Sequence, residues 1–91
     1  MANKIRCAHI LVVKFSEAQQ ILEKIKKGES FAKLAQDHSL DGSRKRGGDL
    51  GYFGRGVMVK EFEKVAFALE KGQVSDVVKT QFGYHIIKRL D

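Results

Sequence analysis

Ile5-Arg6-Cys7-Ala8-His9-Ile10-Leu11-Val12-Val13 is the stretch on which the fold turns. It is β-rich and largely apolar, and under period-two alternation Ile5, Cys7, His9, Leu11 and Val13 share one face, so it predicts a mostly buried first strand. Working outward, Ser16 offers an N-cap with Gln19 three residues on, and Ala18, Ile21, Leu22 and Ile25 follow at helical spacing, closed by Lys26, Lys27 and Gly28. Ser30 can cap a second helix with Phe31, Leu34, Ala35 and His38 on one face, before turn-prone Ser39, Asp41, Gly42 and Ser43. Arg44 to Gly56 is glycine-rich with Leu50, Tyr52 and Phe53 between, which predicts a tightly turned loop leading into a short strand. Phe62, Val65, Ala66 and Leu69 form a third helical stripe ending at Lys71 and Gly72, and two strands, Val74 to Val78 and Tyr84 to Arg89, finish the chain. Strand, helices, strand, helix, strand, strand is the order of an α+β layer fold with one small sheet.

The 91 residues suit one core, so residues 1–91 are expected to form a single domain. With 43% hydrophobic and 31% charged residues the composition is that of a globular protein, not of a disordered chain. The net charge of +6 biases the surface toward anionic partners. Arg44, Lys45 and Arg46 concentrate part of that charge in one loop, but no nucleic-acid-binding signature accompanies them, so no specific nucleic acid partner is expected. A single cysteine, Cys7, requires no oxidising compartment, and there is no signal-peptide core or membrane-length apolar run; a cytoplasmic monomer is expected.

Several chemistries are disfavoured. Cys7 and His9 share a strand face and could recruit His38 or His85, yet no CxxC pair or HExxH helix is present, so no metal site is expected. The glycine segment lacks GxxxxGK[ST] and GxGxxG, which argues against a phosphate cradle, and no GxSxG elbow marks a nucleophile. His9 and His85 stand out instead. Each lies in an apolar strand, at opposite ends of the chain, and adjacent strands could bring them together, where two buried imidazoles satisfy each other through a shared proton.

Five blocks in order carry a family resemblance over essentially the whole chain: Cys7 to Val12; Phe31 to Ala35 with His38-Ser39; Arg46 to Phe53 with Gly56 to Val59; Phe62 to Phe67; and Gln81 to Ile87. Together they resemble a small stand-alone parvulin-type peptidyl-prolyl cis/trans isomerase. The resemblance implies a four-stranded antiparallel sheet surrounded by about four helices, one being a short turn near Asp41. It implies His9 and His85 as the paired active-site histidines, Thr80 as their hydroxyl neighbour, and Asp41 at a position where the family carries cysteine or aspartate. Leu50, Met58 and Phe62 fall at a proline pocket, with Phe82 at its edge. Val13-Lys14-Phe15-Ser16 passes almost directly into helix where the phospho-specific branch carries a long basic loop, so no phosphate requirement is expected. The implied activity is rotation about X-Pro bonds in polypeptides, needing no cofactor. The alternative is a non-catalytic chaperone module that binds extended or unfolded segments.

Overall fold

The computed structural model describes residues 3–91. Strand β1 (Lys4–Val12) leads into α1 (Phe15–Lys26) and α2 (Phe31–His38); a 3-10 helix (Gly42–Arg46), β2 (Asp49–Gly54), α3 (Lys60–Ala68), β3 (Val78–Thr80) and β4 (Gly83–Arg89) follow. The strands form one antiparallel sheet in the order β2-β1-β4-β3, the expected four-stranded α+β architecture. The two ends of the chain are therefore its central pair. The expected fourth helix is the 3-10 turn, whose N-cap is Asp41.

Helices cover both faces of the sheet, and for this reason β1 reads as an almost continuous apolar run. Ala8, Ile10 and Val12 pack with Ala18, Ile21, Leu34 and Ala35 of α1 and α2. Ile5 and Cys7 point the other way and pack with Phe53, Phe62, Ala66 and Ile87. Val13 departs from the predicted face: the strand ends at Val12, and Val13 stands 61% exposed.

Ala18, Ile21 and Leu22 bury the predicted stripe of α1, but Ser16 does not cap it. The helix starts two residues earlier, with Lys14 at the N-cap and no side-chain bond, where Phe15 meets Tyr84 edge-on. Ser30 does cap α2, its hydroxyl accepting the Lys33 N–H at 3.2 Å. Helix α3 stops at Ala68, short of the expected Lys71–Gly72 end, because Leu69 turns to extended backbone and buries its side chain beside Phe62 and Ala66. Gly72 instead turns the following loop and donates to the Arg89 carbonyl at 2.7 Å.

The predicted strand Val74 to Val78 is also revised. Val74 makes an isolated bridge to Lys88, and regular pairing begins only at Val78 opposite His85. Between those pairs the register slips by one residue, as at a β-bulge. Ser75 occupies the slip: its N–H donates to the Ile87 carbonyl, and its hydroxyl accepts the Ile87 N–H at 3.0 Å.

Two of the closely approached glycines lie against carbonyls of β1. Gly48 has φ +86°, and a Cβ there would lie 2.3 Å from the His9 carbonyl oxygen. Its own carbonyl accepts the His9 N–H at 2.9 Å, which lays the glycine segment against β1 beside the first histidine. Gly83, at φ +138°, would place a Cβ 2.6 Å from the Val12 carbonyl oxygen.

Candidate active site

Antiparallel pairing sets Leu11 opposite His85 and His9 opposite Ile87, so the two histidines are diagonal neighbours on one face of the central strand pair. Their Nδ1 atoms are 3.0 Å apart and their rings stack at 5.2 Å. Both are buried, and Phe62 from α3 meets both rings edge-on, at 5.5 and 5.4 Å. On the far side of His85, Nε2 lies 2.6 Å from Thr80 Oγ1, which also accepts the Phe82 N–H. On the far side of His9, Nε2 lies 3.2 Å from Asp41 Oδ2, in ion-pair range but off the line of a ring N–H bond. Thr80, His85, His9 and Asp41 thus form one row.

Charges in the row follow from burial and neighbours. Burial opposes ionisation of Asp41. Ser43, through its adjacent hydroxyl and an N–H bond of 2.9 Å to Oδ2, outweighs that together with His9 and holds the carboxyl at about 2. Burial pushes His85 down to about 4, reinforced by the His9 ring. Burial lowers His9 as well, with Asp41 opposing. At neutral pH the row therefore holds one carboxylate and two neutral imidazoles.

That distribution gives the hydrogen-bond chain a direction. A carboxylate can face His9 Nε2 favourably only if that nitrogen carries the proton, which leaves His9 Nδ1 as an acceptor. His85 Nδ1 must then donate across the 3.0 Å contact, so His85 Nε2 is bare and receives the Thr80 hydroxyl proton. The remaining Thr80 lone pair takes the Phe82 N–H. In this arrangement the His9–His85 and His85–Thr80 contacts are hydrogen bonds, while His9 Nε2 meets the Asp41 carboxylate through charge alone.

In front of the row opens a cavity of about 320 Å³. His9, His85 and Asp41 form its polar part, and Leu50, Val57, Met58, Val59, Phe62 and Phe82 supply apolar walls. Of the residues singled out from sequence, Leu50, Met58, Phe62 and Phe82 all line this cavity, whereas Thr80 stands behind His85 and does not. Phe62 is 2% exposed and belongs to the core as much as to the wall, while Phe82 stands at the rim, 59% exposed. Leu11, Val57 and Val59 line it too, and are not among the site residues named from sequence. Leu11 was findable, being two residues beyond His9 on the same strand face. His38 lies apart, 4.0 Å from Glu17. Cys7 is buried, and burial pushes its thiol up to about 11. No three His, Cys, Asp or Glu among the described residues are grouped to hold a metal ion.

Residues 14–91 match the family model described as Rotamase: PPIC-type PPIASE domain. The foldase protein PrsA of Geobacillus sp. (strain WCH70) is 60% identical over 89 residues, 97% of this chain and 32% of that protein. The chain thus spans about a third of the length of such foldases. The crystal structure of PrsA from Bacillus subtilis superposes with a TM-score of 0.95 at 51% identity, over 98% of this chain and 35% of that one. The solution structure of NmPin, the parvulin of Nitrosopumilus maritimus, covers all of this chain and 99% of its own, with a TM-score of 0.89 and 58% identity. The fold, the row of polar side chains and these likenesses agree: the chain belongs to the PPIC-type parvulin family of peptidyl-prolyl cis/trans isomerases.

Proposed function

We propose that this chain accelerates cis/trans rotation about X-Pro bonds in polypeptides by gripping the proline ring in the apolar cavity and presenting Asp41 to the preceding carbonyl. The observation that carries the reading is the composition of that cavity: apolar walls around a polar floor with one carboxylate and two neutral histidines.

Rotation breaks no covalent bond; the barrier of roughly 18 to 20 kcal/mol is lost amide resonance. Moving an X-Pro bond from tens of seconds to milliseconds requires about 6 kcal/mol of differential stabilisation. Two features of the site act in that direction. The planar amide has the more negative oxygen, so a nearby carboxylate raises the planar form relative to the twisted one. Removing water from the amide has the same sign, because water favours the more polar planar form. His9, His85 and Thr80 touch no transferred proton in this scheme; they hold Asp41 and the cavity floor in place.

Asp41 begins the 3-10 helix whose Arg44, Lys45 and Arg46 are exposed. These support a modest preference for an acidic residue near the proline and weak attraction to anionic surfaces, both screened by salt. We further propose that the chain acts as a monomer; that it needs no phosphate is supported by the short connection, β1 reaching α1 with only Val13 and Lys14 between. Exchange NMR on an Ala-Pro peptide tests the reading: line broadening or exchange peaks at catalytic protein concentrations support it. Peptide binding without faster exchange would turn it toward a non-catalytic chaperone module.

A further inference from the structure

Beyond Ala8, β1 loses β2 as its neighbour, since the last pair of that ladder is Ala8 opposite Asp49. The open edge is closed residue by residue. Gly48 takes the His9 N–H, and the next outward N–H, that of Leu11, is taken by a side chain: Ser39 Oγ at 3.0 Å. The Leu11 carbonyl accepts the Leu40 N–H at 2.8 Å, so Ser39 and Leu40 stand in for the missing strand. Ser39 is completely buried, and the same oxygen receives a longer contact, 3.4 Å, from the Asp41 N–H. One hydroxyl therefore ties the backbone of Asp41 to a strand position two residues beyond His9, and the row spans this joint with a 3.2 Å contact between the Asp41 carboxylate and His9.

We propose that Ser39 is a positioning residue for the isomerase reaction: its hydroxyl latches the Asp41 turn to β1 and so sets the distance between the Asp41 carboxylate and His9. The proposal rests on the catalytic reading above, in which Asp41 acts on the substrate carbonyl. A hydroxyl suits the place because this completely buried site needs one acceptor for two N–H groups, which an alanine side chain does not supply. Ser43 cannot replace it, because it reaches the carboxylate through its own backbone N–H, and the loop's bond to β1 comes only at Gly48, beyond the 3-10 helix.

Ser75 provides a matched control. It too is a buried serine whose hydroxyl accepts a strand N–H, that of Ile87 at 3.0 Å, but it lines no part of the active-site cavity and does not touch Asp41. The experiment measures kcat and KM on an Ala-Pro peptide for Ser39→Ala, Ser39→Cys and Ser75→Ala, alone and combined with Asp41→Ala, at a temperature where circular dichroism shows each folded. Ser39→Ala is expected to lower kcat about tenfold with KM within about twofold, and Ser75→Ala to leave kcat within about twofold. In the Asp41→Ala background the Ser39 change should cost less than about twofold, because the group it positions is gone. An equal loss in both backgrounds, or a folded Ser39→Ala with unchanged kcat, overturns the latch. Ser39→Cys keeps the side-chain shape with a poorer acceptor; if the alanine variant fails to fold, a fall in its kcat supports the latch and an unchanged kcat overturns it. The nitrogen-15 signal of His9 Nε2 separates this test from the catalytic reading. Should the parent protein show no activity, the catalytic reading fails. The latch then stands if Ser39→Ala shifts that signal and Ser75→Ala does not, and falls otherwise.

Discussion

His9 Nδ1 and His85 Nδ1 face one another across 3.0 Å, so one of them must give a proton and the other receive it. Asp41, at the far end of the row, decides which. The first prediction is a pair of unlike tautomers at pH 7: His9 protonated on Nε2 and His85 on Nδ1. Nitrogen-15 NMR of the imidazoles reads this directly. The reverse assignment, or two charged rings, would contradict the row as drawn.

Acid should destabilise the protein in two stages. Between the ordinary imidazole value of 6.5 and about 4, the unfolded chain carries a proton on residue 85 that the folded chain excludes. The unfolded state binds more protons there, so stability falls as pH drops through that window. Asp41 adds a second loss as pH falls from 3.8 toward about 2, where the unfolded carboxyl is protonated first. Urea midpoints at pH 7, 5.5 and 4.5 test the first stage; a flat series would refute it.

Thr80→Val keeps the side-chain shape and removes the last donor in the row. His85 Nε2 and the Phe82 N–H both lose a partner, which should cost roughly 1 to 3 kcal/mol of stability, while Asp41 keeps the tautomer pair unchanged. Denaturant titration and the same imidazole signals measure both effects; a reversed tautomer pair would place the control at Thr80 instead of Asp41.

Phe62 and Met58 separate core from grip. Phe62 is 2% exposed and packs with Phe53 and Ala66, so Phe62→Ala should cost the roughly 3 to 5 kcal/mol of a core deletion, not the smaller price of an open wall. Half-buried Met58 should cost about 1 kcal/mol on truncation and raise KM with the protein still folded. A folded Met58→Ala with unchanged KM would move the proline ring to another wall.

What was legible in the sequence was local. The Ser30 cap, the stripe of Ala18, Ile21 and Leu22, and the strand around His9 depend on nearest neighbours along the chain, and they stand as read. The misplaced features depend on partners distant in sequence. Val13 reads as core until the strand is seen to stop before it, and Val74 to Val78 reads as a strand until its register with β4 slips at Ser75. The five-residue 3-10 helix is too short to show a period, so Asp41 was visible only through family resemblance. The direction of the proton chain was not legible, because it depends on a carboxylate brought to His9 by a turn that Ser39 fastens to the strand.

Substrate choice should respond to charge only mildly. Glu-Pro should be turned over somewhat better than Ala-Pro at low salt and no better at high salt, through exposed Arg44, Lys45 and Arg46. A phosphoSer-Pro peptide should offer no essential advantage. Activity confined to that peptide would show that a phosphate site exists despite the short connection after β1.

Catalysed refolding of a protein whose slow phase is limited by X-Pro isomerisation tests the central claim most directly, because it requires no guess about sequence preference. The account predicts that this phase accelerates in proportion to substoichiometric amounts of the protein, and that folded Asp41→Ala loses most of the acceleration. An unchanged slow phase at every concentration, or full acceleration by Asp41→Ala, would contradict it.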